Sequence, residues 1–155
     1  MYKTALLMAS LLTGFSALAG DKQVGSSLNL KEDLSLTNIP AQVIQVINKA
    51  RPGFVAKQAE KEFKHGNVYI DVEGLDQNGN EIEFDLLQQG GNWQIVEIQR
   101  DLTFEQCPAM VVEALTKSYP DIRPKRIIES EQTTGEIIYE FYTVDANGKE
   151  AKYEV

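Results

Sequence analysis

The sequence predicts an α+β fold built from two tandem repeats. In each repeat a short helix packs on one face of an antiparallel β-meander, and the two sheets lie side by side. Three observations support this prediction: the chain repeats itself, each repeat opens with a helix pattern bounded by prolines, and each continues with the alternation of apolar and polar residues that is typical of strands.

The internal repeat is clearest in two pairs of segments. The segment DLSLTNIPAQVIQVINKARP, from Asp33, aligns without gaps with DLTFEQCPAMVVEALTKSYP, from Asp101. Further along, LDQNGNEIEF from Leu75 aligns with VDANGKEAKY from Val144. Self-similarity over this length indicates that one supersecondary unit occurs twice.

Each repeat opens with a predicted helix of about three turns. Pro40 and Pro108 suit the first helical turn, where a missing N–H leaves no hydrogen bond unmade. Pro52 and Pro120 mark the helix ends. The apolar residues between these prolines form one stripe. Because a helix this short is unstable alone, the stripe must pack on a sheet.

Strand patterns follow each helix. Asn78-Gly79 and Asn147-Gly148 predict hairpins, because Asn-Gly supplies the positive φ of a tight turn and Asp or Asn caps it. Alternation predicts strands before and after each hairpin, with further strands ahead of them. The expected strands cover residues 58–64, 68–73, 81–86, 93–100, 126–131, 137–142 and 150–155. The apolar residues expected to face the helices include Ile70, Val72, Phe84, Ile137, Tyr139 and Phe141.

The N-terminus predicts export. Residues 1–19 resemble a signal peptide, with Lys3, an apolar run and the small-x-small ending Ala17-Leu18-Ala19. The run is too short to span a bilayer, which takes about 20 residues. We therefore expect a periplasmic or secreted protein with no membrane insertion after cleavage. The expected organisation is a leader with a possible first strand over 20–32, then repeats over 33–95 and 96–155.

Charge and cysteine content restrict the partners. Removal of Lys3 leaves 14 basic residues against 23 acidic ones, a net charge of −9. This charge excludes nucleic acid and anionic membrane surfaces as expected partners and suits a basic protein, a basic peptide or a cation. Cys107 is the single cysteine of the sequence, so no internal disulfide can form.

The proline-bounded helix followed by an Asp-x-Asn-Gly hairpin resembles the PepSY-like family of exported bacterial proteins, and the tandem pair resembles the β-lactamase-inhibitor-protein type of fold. The resemblance covers roughly residues 33–155. It implies that partners bind at the sheet face without helices and at the hairpin loops. Some such relatives are inhibitors or propeptide modules of secreted proteases. We expect no protease domain to follow, so inhibition would act on a separate protein.

The polar residues of the alternating strands form the candidate binding site. They point away from the predicted helices, and they combine carboxylates, which attract basic surfaces, with tyrosines, which are enriched in binding patches. A solvated acidic face would show the same pattern, since charged outward positions are common in sheets. The predicted partner-binding residues are Tyr69, Asp71, Glu73, Glu81, Glu83, Asp85, Glu140, Tyr142 and Lys152.

Other candidate residues have simpler interpretations. The Asp76 hairpin lacks the pattern of a calcium loop, because its sixth and twelfth positions are Glu81 and Leu87. Cys107 and His65 could form a nucleophile and base, but the first occupies an apolar position and the second a predicted turn. Trp93 suits either a partner anchor or, as we favour, the edge of the core.

The sequence contains no phosphate-binding loop, Ser-His-Asp arrangement or metal motif. We therefore expect no enzymatic activity, no cofactor and no metal centre. The predicted function is non-catalytic binding of another envelope or secreted protein, as its inhibitor or modulator. The alternative is an envelope protein that binds a small ligand or a cation.

Overall fold

The computed structural model describes residues 29–145 and 147–155, and the predicted signal peptide lies outside these residues. Eight antiparallel strands form one continuous sheet in chain order, and two α-helices complete the α+β fold that the sequence predicted. The elements are β1 (Asn29–Asp33), α1 (Ala41–Ala50), β2 (Val55–Lys64), β3 (Asn67–Leu75), β4 (Glu81–Gln89), β5 (Asn92–Asp101), α2 (Ala109–Ser118), β6 (Arg126–Gln132), β7 (Ile137–Val144) and β8 (Glu150–Glu154).

Each helix begins directly after its proline. Pro40 and Pro108 lie at the N-cap, one position ahead of the predicted first turn. Their carbonyls accept the backbone N–H of Val43 at 2.9 Å and of Val111 at 3.0 Å. The prolines therefore start the helices without removing a bonded N–H group, as their chemistry requires.

Both helices pack on the same face of the sheet. Phe84 lies in the core under α1 and is opposite Ile98 of β5. Two residues along β5, Arg100 is opposite Glu129, which is opposite Tyr139 in the core under α2. Since cross-strand partners share a face, the two cores lie on the same side of the sheet, and the Arg100–Glu129 ion pair lies between them.

The cores contain most of the apolar residues predicted to face the helices. Val43 and Ile47 of α1 and Phe141 of β7 are fully buried. Ile137 is an exception, since 49% of it remains exposed. It is the first residue of β7, where the sheet extends beyond the cover of α2.

In the described part of the chain, neither helix is long and apolar enough to cross a membrane.

The two Asp-x-Asn-Gly hairpins have the same hydrogen bonds. Asp76 Oδ1 accepts the backbone N–H groups of Asn78 at 2.7 Å and Asn80 at 2.9 Å. Asp145 makes the equivalent bonds in the second hairpin. In both hairpins the glycine, Gly79 or Gly148, supplies the positive φ, and the aspartate caps the turn as predicted. The bonds to the aspartate hold the turn, as in an Asx-turn.

Candidate functional site

The helix-free face is the side of the sheet opposite the two helices. The nine residues predicted to bind a partner alternate along β3, β4, β7 and β8 with residues of the two cores, so they lie on this face. They differ in exposure. Asp71 and Glu140 are buried and Glu81 is exposed, whereas the other six are half-buried.

The register of the sheet sets acidic residues directly opposite one another. Asp71 of β3 faces Asp85 of β4, and Glu73 faces Glu83 on the same pair of strands. The row of acids extends to Glu60 on β2, opposite Asp71, and to Glu97 on β5, opposite Asp85. Like charges at opposite positions destabilise a sheet, so these carboxylates require protons or a cation.

Three of these acids form what we term the carboxylate cluster: Asp71, Glu83 and Asp85. One carboxylate oxygen from each lies within 4.8 Å of the other two. The Oδ1 atom of Asp85 is shielded from solvent, and among the described residues no N–H or hydroxyl group donates to it. The cluster thus combines converging oxygen ligands with one acceptor that no donor among the described residues satisfies.

Burial and mutual repulsion hold protons on the cluster. Burial, with the charges of Asp71 and Glu73, raises the pKa of Glu83 from its ordinary 4.5 to about 7. Burial and the neighbouring carboxylates raise the pKa of Asp85 well above its usual range. Burial also raises the pKa of Asp71, although Lys31 opposes that shift. Near neutral pH the cluster is therefore only partly ionised.

Two cations of the described residues act on the cluster: Lys31 contacts it, and Arg126 is close enough to Glu83 to oppose the rise of its pKa. The ammonium of Lys31, on β1, is 3.3 Å from Asp71 Oδ2 and 2.5 Å from Glu60 Oε2. This contact explains why Asp71 is buried although no helix covers it. Sequence reasoning gave residues 20–32 as a leader with a possible first strand and did not extend the candidate face to Lys31. The short strand β1 brings this side chain to the cluster by pairing with β2.

Glu97 connects the cluster to the second half of the sheet. Its Oε1 accepts hydrogen bonds from the hydroxyl of Ser130 and from Gln132 Nε2, the latter at 2.9 Å. Ser130 is almost fully buried. Sequence reasoning left out both Glu97 and Ser130. The alternation of Val96-Glu97-Ile98 was a signal for the first, whereas Ser130 had none because its burial depends on the neighbouring strands.

A second polar group on the helix-free face is fully paired. Glu140 accepts the hydroxyl of Tyr142 at 2.6 Å and Lys152 Nζ at 2.8 Å. Lys152 also pairs with Glu154 at 2.6 Å. These contacts cover Glu140 and account for its burial. The structure therefore divides the predicted site into a neutralised group on β7 and β8 and an acid-rich group on β3 and β4.

Two predicted residues lie at the margins of the acid-rich group. Tyr69 is half-buried on β3 and faces Leu87, two residues before Asp71. Glu81 is exposed at the start of β4. Its charge adds to burial in raising the pKa of Glu73. Both side chains can reach a partner that approaches the face from solvent.

The other sequence candidates have structural roles. Trp93 is buried in the core under α1, which agrees with the prediction of a core edge. Cys107 is buried in the core under α2, and burial raises the pKa of its thiol, opposite to the shift that activates a nucleophile. His65 occupies the turn between β2 and β3 with a positive φ of 52°.

The geometry of the site suits binding of positive charge: carboxylates converge on a face that the helices leave open, and half-buried tyrosines lie in the same strands.

The chain matches no protein-family model, and its comparison with curated proteins gives no significant match.

Proposed function

We propose that this chain is an exported, non-catalytic binding protein that acts as an inhibitor or modulator of another envelope or secreted protein. The observation that supports this proposal most directly is the row of carboxylates across β2 to β5 on the helix-free face. A sheet that repeats like charges at opposite positions is less stable than it could be. Binding of a basic surface offsets that cost.

The partner would present lysine or arginine side chains to the acid-rich group. An ammonium or guanidinium beside Glu83 and Asp85 would favour their ionised forms and make charge-assisted hydrogen bonds. Tyr69 and Glu81 would contact the rim of the same partner. Such complementary charge also speeds association and makes it sensitive to salt.

We further infer that the two halves are PepSY-like repeats whose sheets lie side by side. The order strand, helix and three strands occurs once from β1 to β4 and again from β5 to β8. The aligned segments of the sequence occupy equivalent positions in both halves. In this arrangement the two helix-free surfaces join into one binding face, and β4 pairs with β5 where the repeats meet.

A pull-down with the immobilised protein tests the function. An envelope extract of the source organism is applied at low and at moderate salt, with chelator present so that metal ions play no part. We expect the immobilised protein to capture a basic protein, and moderate salt should weaken that binding. The double variant Tyr69→Ala, Glu81→Lys should no longer bind this protein. The control variant Glu113→Lys changes an exposed residue of α2 and should still bind it.

Two results would contradict the proposal. One is an empty pull-down at both salt concentrations. The other is a captured protein that binds the double variant as well as the unchanged chain. Circular dichroism of both variants shows whether a loss of capture reflects unfolding. Once the partner is identified, its own activity with and without the bound chain tests inhibition.

A further inference from the structure

We propose that the carboxylate cluster of Asp71, Glu83 and Asp85 is a binding site for a divalent cation, specifically Ca²⁺. This inference goes beyond protein binding and does not depend on it, because it concerns the affinity of the chain itself for a metal ion. The proposed site is also distinct from the Asp-x-Asn-Gly hairpins, where Asp76 Oδ1 already accepts hydrogen bonds from backbone N–H groups.

The spacing of the cluster fits a calcium ion. Calcium binds oxygen ligands at about 2.3–2.6 Å, so ligands on opposite sides of the ion are about 5 Å apart. The three carboxylate oxygens lie within 4.8 Å of one another, and one ion can therefore contact all of them. Magnesium requires about 2.0–2.1 Å and near-ideal octahedral geometry. The cluster contains no histidine or cysteine, so zinc is also less suited.

The second observation is independent of the clustering. Asp85 Oδ1 is withdrawn from solvent, and no N–H or hydroxyl group of a described residue donates to it. The Glu97 carboxyl lies within hydrogen-bonding reach of the Asp85 carboxyl, and this contact is repulsive when both groups are ionised. An unsatisfied buried acceptor is costly, and buried polar groups in folded proteins are nearly always paired. A bound cation would satisfy this oxygen directly.

The surrounding charges leave the cluster short of positive charge. Lys31 pairs with Asp71 and Glu60. Arg126 also attracts Glu83, but its ion pair is with Asp101. In the described ranges, Glu83 and Asp85 form no ion pair. Glu97, opposite Asp85, adds a further carboxylate that is oriented by Ser130 and Gln132. A divalent ion would offset the excess charge where a single ammonium does not.

The expected affinity is modest. Three carboxylates supply fewer ligands than the six to eight that calcium takes, so water must complete the coordination. Sites of this kind in extracellular proteins bind calcium with dissociation constants of about 10⁻⁴–10⁻³ M. Such a site would be filled at the millimolar concentrations found outside cells.

Titration of the purified, metal-free protein with CaCl₂ tests the site by calorimetry and by the shift in melting temperature. We expect one saturable Ca²⁺ site per chain and weaker binding of MgCl₂. Asp85→Asn and Glu83→Gln keep the size of each side chain and remove its charge, and each should weaken Ca²⁺ binding at least tenfold. Glu113→Gln removes an exposed carboxylate of α2 and should bind as the unchanged protein does.

Three outcomes would overturn the proposal: no binding of millimolar Ca²⁺, equal Ca²⁺ affinity in Asp85→Asn and Glu83→Gln, or Mg²⁺ binding as tight as Ca²⁺ binding. Metal-free melting curves establish that the variants fold. If one variant does not fold, the Ca²⁺ affinity of the other variant tests the proposal. The titration contains no partner protein, so an absence of Ca²⁺ binding would not affect the pull-down result. Likewise, the pull-down contains chelator, so an absence of capture would not affect the test of Ca²⁺ binding.

Discussion

Asp71 and Asp85 lie directly opposite each other on β3 and β4, on the sheet face that neither helix covers. Opposite positions on one face are the closest neighbours in an antiparallel sheet. Two ionised carboxylates there repel each other, and burial strengthens that repulsion because the local dielectric is low. The stability of the fold is therefore coupled to the protonation of this pair.

The stability of the metal-free protein should fall as the pH rises from 5.5 to 8. The pKa of Glu83 is raised from 4.5 to about 7, so between these values the folded state holds a proton that the unfolded state has lost. That stabilisation is complete below pH 4.5 and disappears as the pH passes 7. Urea denaturation with chelator should show a loss of roughly 2 kcal/mol, at about 1.4 kcal/mol per pH unit. A flat or rising profile would contradict the raised pKa.

Glu83→Gln should flatten this pH profile. Glutamine has nearly the same shape and cannot ionise, so the variant should match the unchanged protein below pH 4.5 and exceed it in stability above that pH, with the difference growing by about 2 kcal/mol between pH 5.5 and pH 8. Glu113→Gln is the matched control and should leave the profile unchanged. If Glu83→Gln retains the original slope, another group causes the pH dependence.

Gly74→Ala should destabilise the fold by about 3 kcal/mol, near the upper end for overpacking. A β-carbon at this position would lie 2.2 Å from the Val55 carbonyl oxygen and 2.6 Å from Phe54 Cζ. The backbone of β2 must move to admit it. Gly79→Ala is the comparison, because that site has open space and only its φ of 82° is unfavourable, which costs about 1–2 kcal/mol. Equal losses in the two variants would refute the steric argument.

Cys107 should react slowly with a thiol reagent in the folded protein. Its side chain is buried, its Sγ donates to the Thr103 carbonyl at 3.5 Å, and burial raises the pKa of the thiol. Since the thiolate is the reactive form, the rate should increase at least tenfold when urea unfolds the chain. A fast reaction in the native state would instead indicate an accessible, activated cysteine.

Local sequence patterns predicted most of the fold and the acid-rich group on β3 and β4, but not the residues that contact this group from other strands. The alternation of residues along β3 and β4 was enough to place Asp71, Glu83 and Asp85 on one face. It did not place Lys31, because five residues of β1 carry too little pattern to distinguish a strand from a leader. It also gave no reason to link Ser130 with Glu97, which are 33 positions apart in the chain.

The sequence by itself determined the α+β class, the two helices between their prolines and the hairpins at Asn-Gly, because short-range sterics, hydrogen bonding and apolar periodicity govern these features. Only the tertiary structure decided that all strands join one sheet and that Asp71 is opposite Asp85. The register between strands depends on how the cores under α1 and α2 pack and on where bulges occur, such as the one beside Asp85 in the pairing of β4 with β5. A shift of one residue would send these carboxylates to the other face, so the site exists only in the assembled sheet.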